Sequence, residues 1–217
     1  VTGVQTCALP IYSGEVLYLN ILWHQHQPLY YKEEDGTYTR PWVRVHATKD
    51  YYDMAAILKE YPEVHATFNL TPVLIRQLDD FVNNSAKDLY WVLAEVPADQ
   101  LTPDQKQFIL ERFFDANWDN IIYRFPRYKE LLLKRGGTDE TAINAAVETF
   151  TTQDFLDLQV WFNLAWFDPD FLAQEPLNAL VEKGEGFSEE DKQTLFDEVR
   201  SVMAEIIPLH KEIDRKS

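Results

Sequence analysis

The sequence predicts an α/β fold that opens with two β/α units and is predominantly helical overall. Two observations start the pattern: short apolar segments, "VLYLNILW" at 16–23 and "EVHATFNLTP" at 63–72, each run into a stretch with helical spacing. A third completes it, because from about residue 85 onward the apolar residues recur at helical intervals only. The 217 residues are 46% hydrophobic with only 7 glycines, enough apolar material for a packed core and a composition unlike that of a disordered chain.

The first segment mixes β-branched and aromatic residues with one interruption at Asn20, as expected of a strand buried on both faces in a parallel sheet. Asp35-Gly36 marks a turn in the polar loop that follows. A helix is predicted over 46–61, with Tyr51, Met54, Ala55 and Leu58 on one face and Pro62 after its end. In the second segment Val64, Ala66, Phe68 and Leu70 alternate with polar residues, which suits a strand, and Pro72 suits the first position of the next helix. Thr102, Pro103 and Gln105 form a helix start with a capping box. Phe155, Leu158, Phe162 and Ala165 make one helical stripe, and Leu195, Val199, Val202 and Ile206 make another in a helix starting at Ser188. Breaks are expected near Gly136-Gly137 and at 184–186. The expected organisation is a leader over 1–11, the start of a β/α layer over 12–84, and a helical insertion of the same domain over 85–217.

Charge narrows the partners. With 20 Lys plus Arg against 36 Asp plus Glu, the net charge of −16 opposes binding to nucleic acid or to an anionic membrane. No apolar run approaches the length that spans a bilayer. The single cysteine, Cys7, has no partner for an internal disulfide and no zinc-type spacing. It lies in "VTGVQTCALPI", which resembles translated sequencing-adapter DNA, so residues 1–11 are expected to be non-native. A cytoplasmic location is expected, without a signal peptide to read.

The segment "LWHQHQPLYY" places His24 and His26 on one face of a strand end, with Gln25 and Gln27 on the other. Parallel β/α folds bind ligands at the carboxyl ends of their strands, where these residues sit, and Asn69 and Thr71 would end the neighbouring strand. Three readings stay open on spacing alone. The imidazoles are structural; or they are half of a divalent metal site; or, with Tyr30, Tyr31 and Trp42, they cradle a hydroxyl-rich ligand such as a sugar. The aspartates of "FDPDF" read as capping and turn residues, and "SEEDK" as a helix first turn. His65 and His210 read as structural.

The segments "LYLNILWHQHQPLYY", "RPWVRVHATKDYYDMAAIL" and "HATFNLTPVLIRQL" resemble the N-terminal part of glycoside hydrolase family 57, whose first motif matches His26-Gln27-Pro28. "ERFFDANWDNIIYRFPRYKELL" and "DLQVWFNLAWFDPDF" resemble the helical insert of its larger amylase-like members. The resemblance implies a partial (β/α)7 barrel and retaining cleavage or transfer at α-glucosidic bonds, by a Glu and an Asp on later strands, expected beyond residue 217. It implies an α-glucan or maltooligosaccharide substrate, no cofactor and no metal. His26, His24 and Gln27 are then expected to bind substrate, with Trp42 and His46 as an outer wall and Asn69 at the second strand end. The alternatives are a metal-dependent hydrolase with a His-x-His strand motif, and a non-catalytic helical interaction module.

Overall fold

The computed structural model describes residues 18–32 and 34–214, together with the backbone of Val4–Thr6. The rest of the expected leader, Cys7 and residues 16–17 of the first predicted strand lie outside the described residues. Strands β1 (Val4–Thr6), β2 (Ile21–Gln25) and β3 (Thr67–Leu70) form one sheet in the order β1-β2-β3. The pair β2/β3 is parallel as predicted, and Leu22, Trp23, His24 and Gln25 align with Thr67, Phe68, Asn69 and Leu70. β1 pairs antiparallel on the other side of β2, a strand that sequence reading did not assign. β2 sits later than the apolar run 16–23 predicts and takes in His24 and Gln25, in keeping with their expected place at the strand end.

Between the parallel strands run α1 (Trp42–Ala47) and α2 (Asp50–Ala56), continued by a 3₁₀ turn at Ile57–Lys59. Sequence periodicity predicts one helix there. The chain instead breaks at Lys49, whose φ of −138° and ψ of −94° leave the helical region. The physical reason is tertiary: the Thr48 carbonyl accepts the backbone N–H of Asp168, 120 residues on, which anchors a corner where the helix would have continued. α3 (Pro72–Asn83) starts with Pro72 as expected and buries Leu74, Gln77, Leu78 and Phe81.

The helical part holds α4 (Leu89–Glu95), α5 (Pro103–Arg112), α6 (Pro126–Arg135), α7 (Glu140–Thr149), α8 (Thr152–Leu164), α9 (Pro169–Leu172), α10 (Leu177–Lys183) and α11 (Glu189–Asp214). The capping box at Thr102 and Gln105 is present. Asp168 caps α9 by accepting from the Asp170 N–H, which fits the capping role read for "FDPDF". α8 is the centre of the molecule. Every residue from Asp154 to Leu164 is buried, so the predicted one-sided stripe is in fact a helix enclosed on all sides. Its polar members are paired: Arg127 bonds Asp154 and Asp157, and the Gln159 amide donates to the carbonyls of Leu93 and Val96. The 26-residue α11 then packs across α2, α3 and α8 and ties the β/α layer to the helical body.

Gly136 and Gly184 end α6 and α10 with φ of +74° and +71°, a backbone conformation that costs other residues and suits glycine. Among the described residues no helix is long and apolar enough to cross a membrane. His65 lies before β3 and is exposed, which corrects the mid-strand structural role predicted for it. His210 is buried on α11, edge-on to Phe68, with Nδ1 against the Ile206 carbonyl, in keeping with a structural role.

Candidate functional site

The carboxyl ends of β2 and β3 gather the candidate residues into two adjoining groups. In the first, strand alternation turns His24 and His26 outward and Gln25 and Gln27 inward. The imidazoles stack with ring centres 5.9 Å apart and planes within 15°. Because His24 and Asn69 are partners in the parallel register, the Asn69 amide reaches across and donates to His24 Nδ1 at 2.9 Å. That bond leaves the His24 proton on Nε2, facing away from the strand. All three side chains are exposed, and together they present hydrogen-bonding groups to one mouth.

The second group lies beneath and beside the first. Gln27 is 5% exposed. Its amide N–H donates to the Tyr51 hydroxyl at 2.9 Å, and its carbonyl accepts the Tyr30 hydroxyl at 2.8 Å. Both ends of the Gln27 amide are thus engaged within the protein, which ties the loop and α2 together behind His26. Burial pushes the Tyr51 hydroxyl up to about 12, so it stays a neutral partner in this chain. Tyr51 in turn packs at 6.0 Å from the His46 ring.

Helix α1 supplies Trp42 and His46 one turn apart on its partly exposed face, while Val43, Arg44, Val45 and Ala47 are buried. His46 Nδ1 is 2.7 Å from the Asp50 carboxylate. Burial alone would raise Asp50, but the hydrogen bond and charge of His46, with Lys49 nearby, hold its pKa below the usual value. Both Trp42 and His46 meet Trp166 edge-on, at 6.1 and 5.8 Å. Trp166 follows α8 and is delivered by the same contact that breaks the helix at Lys49, since Asp168 binds Thr48 two residues later.

Sequence reading missed four contributors: Tyr51, Asp50, Trp166 and Gln77. Gln77 is fully buried on α3, and its amide takes the Tyr30 N–H and gives to the Pro28 carbonyl, which clamps the loop after His26. One signal was available, a glutamine within the apolar stripe of Leu74, Leu78 and Phe81. Trp166 had none in the local pattern, because its role depends on a contact more than a hundred residues away.

Among the described residues no set of three or more His, Cys, Asp or Glu side chains is placed to hold a metal ion, so the two imidazoles have no third ligand there. A separate cleft lies elsewhere. It has about 710 Å³, runs along the free edge of β3 between Val64, Phe68, Ile75 and Ile207, and includes none of the six predicted site residues. Its walls mix apolar residues with Lys59, His65, Thr67, Lys211 and Asp214, whereas the strand ends hold the residues that match the sequence motif.

The family model described as glycosyl hydrolase family 57 matches residues 20–216. No curated protein and no solved structure matches the chain.

Proposed function

The chain belongs to glycosyl hydrolase family 57, a family of glycoside hydrolases acting on carbohydrate, and on that premise we propose that it binds an α-glucan or maltooligosaccharide at the ends of β2 and β3. One observation carries the reading: the stacked, exposed imidazoles of His24 and His26, tied to Asn69 across the parallel register. A pair of ring nitrogens and an amide at fixed spacing matches the vicinal hydroxyls of a sugar, each of which both donates and accepts. Aromatic surface is connected to this mouth through Gln27, Tyr51 and His46 to Trp166 and Trp42, and sugar C–H faces pack on such rings. Gln27 acts from behind as the brace of this mouth.

The chemistry of the family reading is retaining cleavage or transfer at an α-glucosidic bond, which needs two carboxyl groups roughly 5 Å apart across the bond. The described ends of β2 and β3 bring imidazole and amide groups, and the nearest carboxylate in the second group, Asp50, is engaged by His46. We therefore assign substrate binding to this part of the enzyme and place the nucleophile and the acid on other strands.

Isothermal titration with maltoheptaose tests the reading. Wild type should give heat, and His26→Ala should weaken binding on the order of tenfold, the equivalent of one or two hydrogen bonds. Cellohexaose, with the opposite anomeric linkage, should bind more weakly. Absence of heat in wild type would overturn the proposal, and equal binding of both sugars would overturn its α-linkage.

A further inference from the structure

Trp166 is buried, with 8% of its surface exposed, yet its indole N–H has no hydrogen-bond acceptor in the protein. Indole nitrogen is a donor only, and tryptophan in a core normally finds an acceptor because an unmade bond there costs more than a made one contributes. The other deeply buried tryptophans obey this. Trp161 donates to the Gly184 carbonyl at 2.8 Å, and Trp91 donates to Glu95 at 2.9 Å. Trp166 is the exception, and it stands at the candidate site with Trp42 and His46 packed edge-on against it.

Its surroundings fit a ligand more readily than a packing fault. His46 is held by Asp50 through Nδ1, so its Nε2 remains open to a ligand in the same corner. Trp42, at the first residue of a six-residue helix, is only partly buried, and it is the neighbour best placed to yield to an incoming group. The corner thus offers an unused N–H, an unused ring nitrogen and two indole faces or edges. That set recognises a hydroxylated, partly apolar ring.

We infer that Trp166 is a further ligand-binding residue, whose indole N–H donates to a hydroxyl oxygen of the bound glucan in the corner it shares with Trp42 and His46. This rests on the proposed function. The hydroxyl completes the donor that the protein leaves without an acceptor, and Trp42 moves with ligand entry.

Two-dimensional ¹⁵N–¹H spectra of the chain, titrated with maltoheptaose, read the indole N–H groups directly. The Trp166 indole resonance, assigned from its loss in Trp166→Phe, should shift progressively with sugar, together with the His24 and His26 ring signals. The resonances of Trp91 and Trp161, already bonded within the protein, should stay in place. Trp166→Phe itself keeps an aromatic ring and removes the N–H, and it should weaken maltoheptaose binding on the order of tenfold. Shifts at His24 and His26 with a stationary Trp166 indole would overturn this inference and leave the proposed function standing. No response at any of these groups would overturn both.

Discussion

Asn69 shows how much one exposed side chain can decide at this site. Its amide fixes the proton of His24 on Nε2, although it buries almost nothing. Asn69→Ala should leave stability within about 0.5 kcal/mol, as for other exposed substitutions. It should also release His24 into a mixture of tautomers, visible in the ¹⁵N shifts of its ring, and weaken maltoheptaose binding a few-fold. An unchanged ring spectrum would mean that the amide does not set the tautomer. Gln27 gives the contrasting case, since both ends of its amide are used by Tyr51 and Tyr30. Gln27→Ala is expected to cost about 1–3 kcal/mol in urea unfolding, because two tyrosine hydroxyls lose their partner. The alternation that turns His24 and His26 one way and the glutamines the other was legible in four letters of sequence. The partners of Gln27 were not, because Tyr30 lies in an irregular loop and Tyr51 on a helix that sequence reading could orient only towards a generic core.

Helix α1 is too short to hold itself, and it carries both Trp42 and His46. What fixes it is Arg44, 1% exposed. Its guanidinium makes bonds of 2.6 and 3.3 Å to the Asp88 carboxylate and one of 2.5 Å to the Asn163 carbonyl, and lies 5.4 Å from the Trp91 ring centre. Asp88 also caps α4, so one carboxylate joins α1 to the helical body. Arg44→Met would leave that carboxylate buried without its cation, a loss of about 3–5 kcal/mol. The expected result is a lower urea midpoint and faster amide exchange at Val45 and Ala47, with Arg44→Lys intermediate because it lacks the planar fork. A variant as stable as wild type would show that α1 is held by apolar packing alone. The helix starts were readable here, from Thr102 with Gln105 to Ser188 with Asp191. The break between α1 and α2 was not, since the Thr48 carbonyl is claimed by the backbone N–H of Asp168, the cap of α9.

Across the whole molecule, acid should act in two stages. Burial lowers the His210 pKa from its usual 6.5, so the folded state binds fewer protons than the unfolded one, and stability is lost as pH falls below about 6.5. For Asp154, burial pushes upward, but Lys134, Thr151 and Arg127 outweigh it and pull the carboxyl down to about 2. Its contribution is complete above the unfolded value near 4 and disappears as pH falls from there towards 2. Asp53 and Asp115, raised by burial, act in the opposite sense above pH 4 or so. Thermal melts across pH should therefore show His210→Gln flattening the first stage and Asp154→Asn the second. Equal slopes in the Asp154 variant and wild type below pH 4 would contradict the Arg127 and Lys134 pairing.

By itself the sequence determined the opening β/α alternation followed by a helical body, the parallel pairing of the two predicted strands and the face on which His24 and His26 stand. Each follows from a local rule, the two-residue period of a strand or the chemistry of a helix start. The membership in glycosyl hydrolase family 57 was legible too, through motifs that local spacing alone could not interpret. Only the tertiary structure decided that Gln27 meets Tyr51 and Tyr30, that α1 ends where it does, and that Trp166 joins Trp42 and His46. Those outcomes depend on which distant groups claim a carbonyl, an amide or a ring edge, and such competition is settled by packing between elements rather than by the pattern within any one of them.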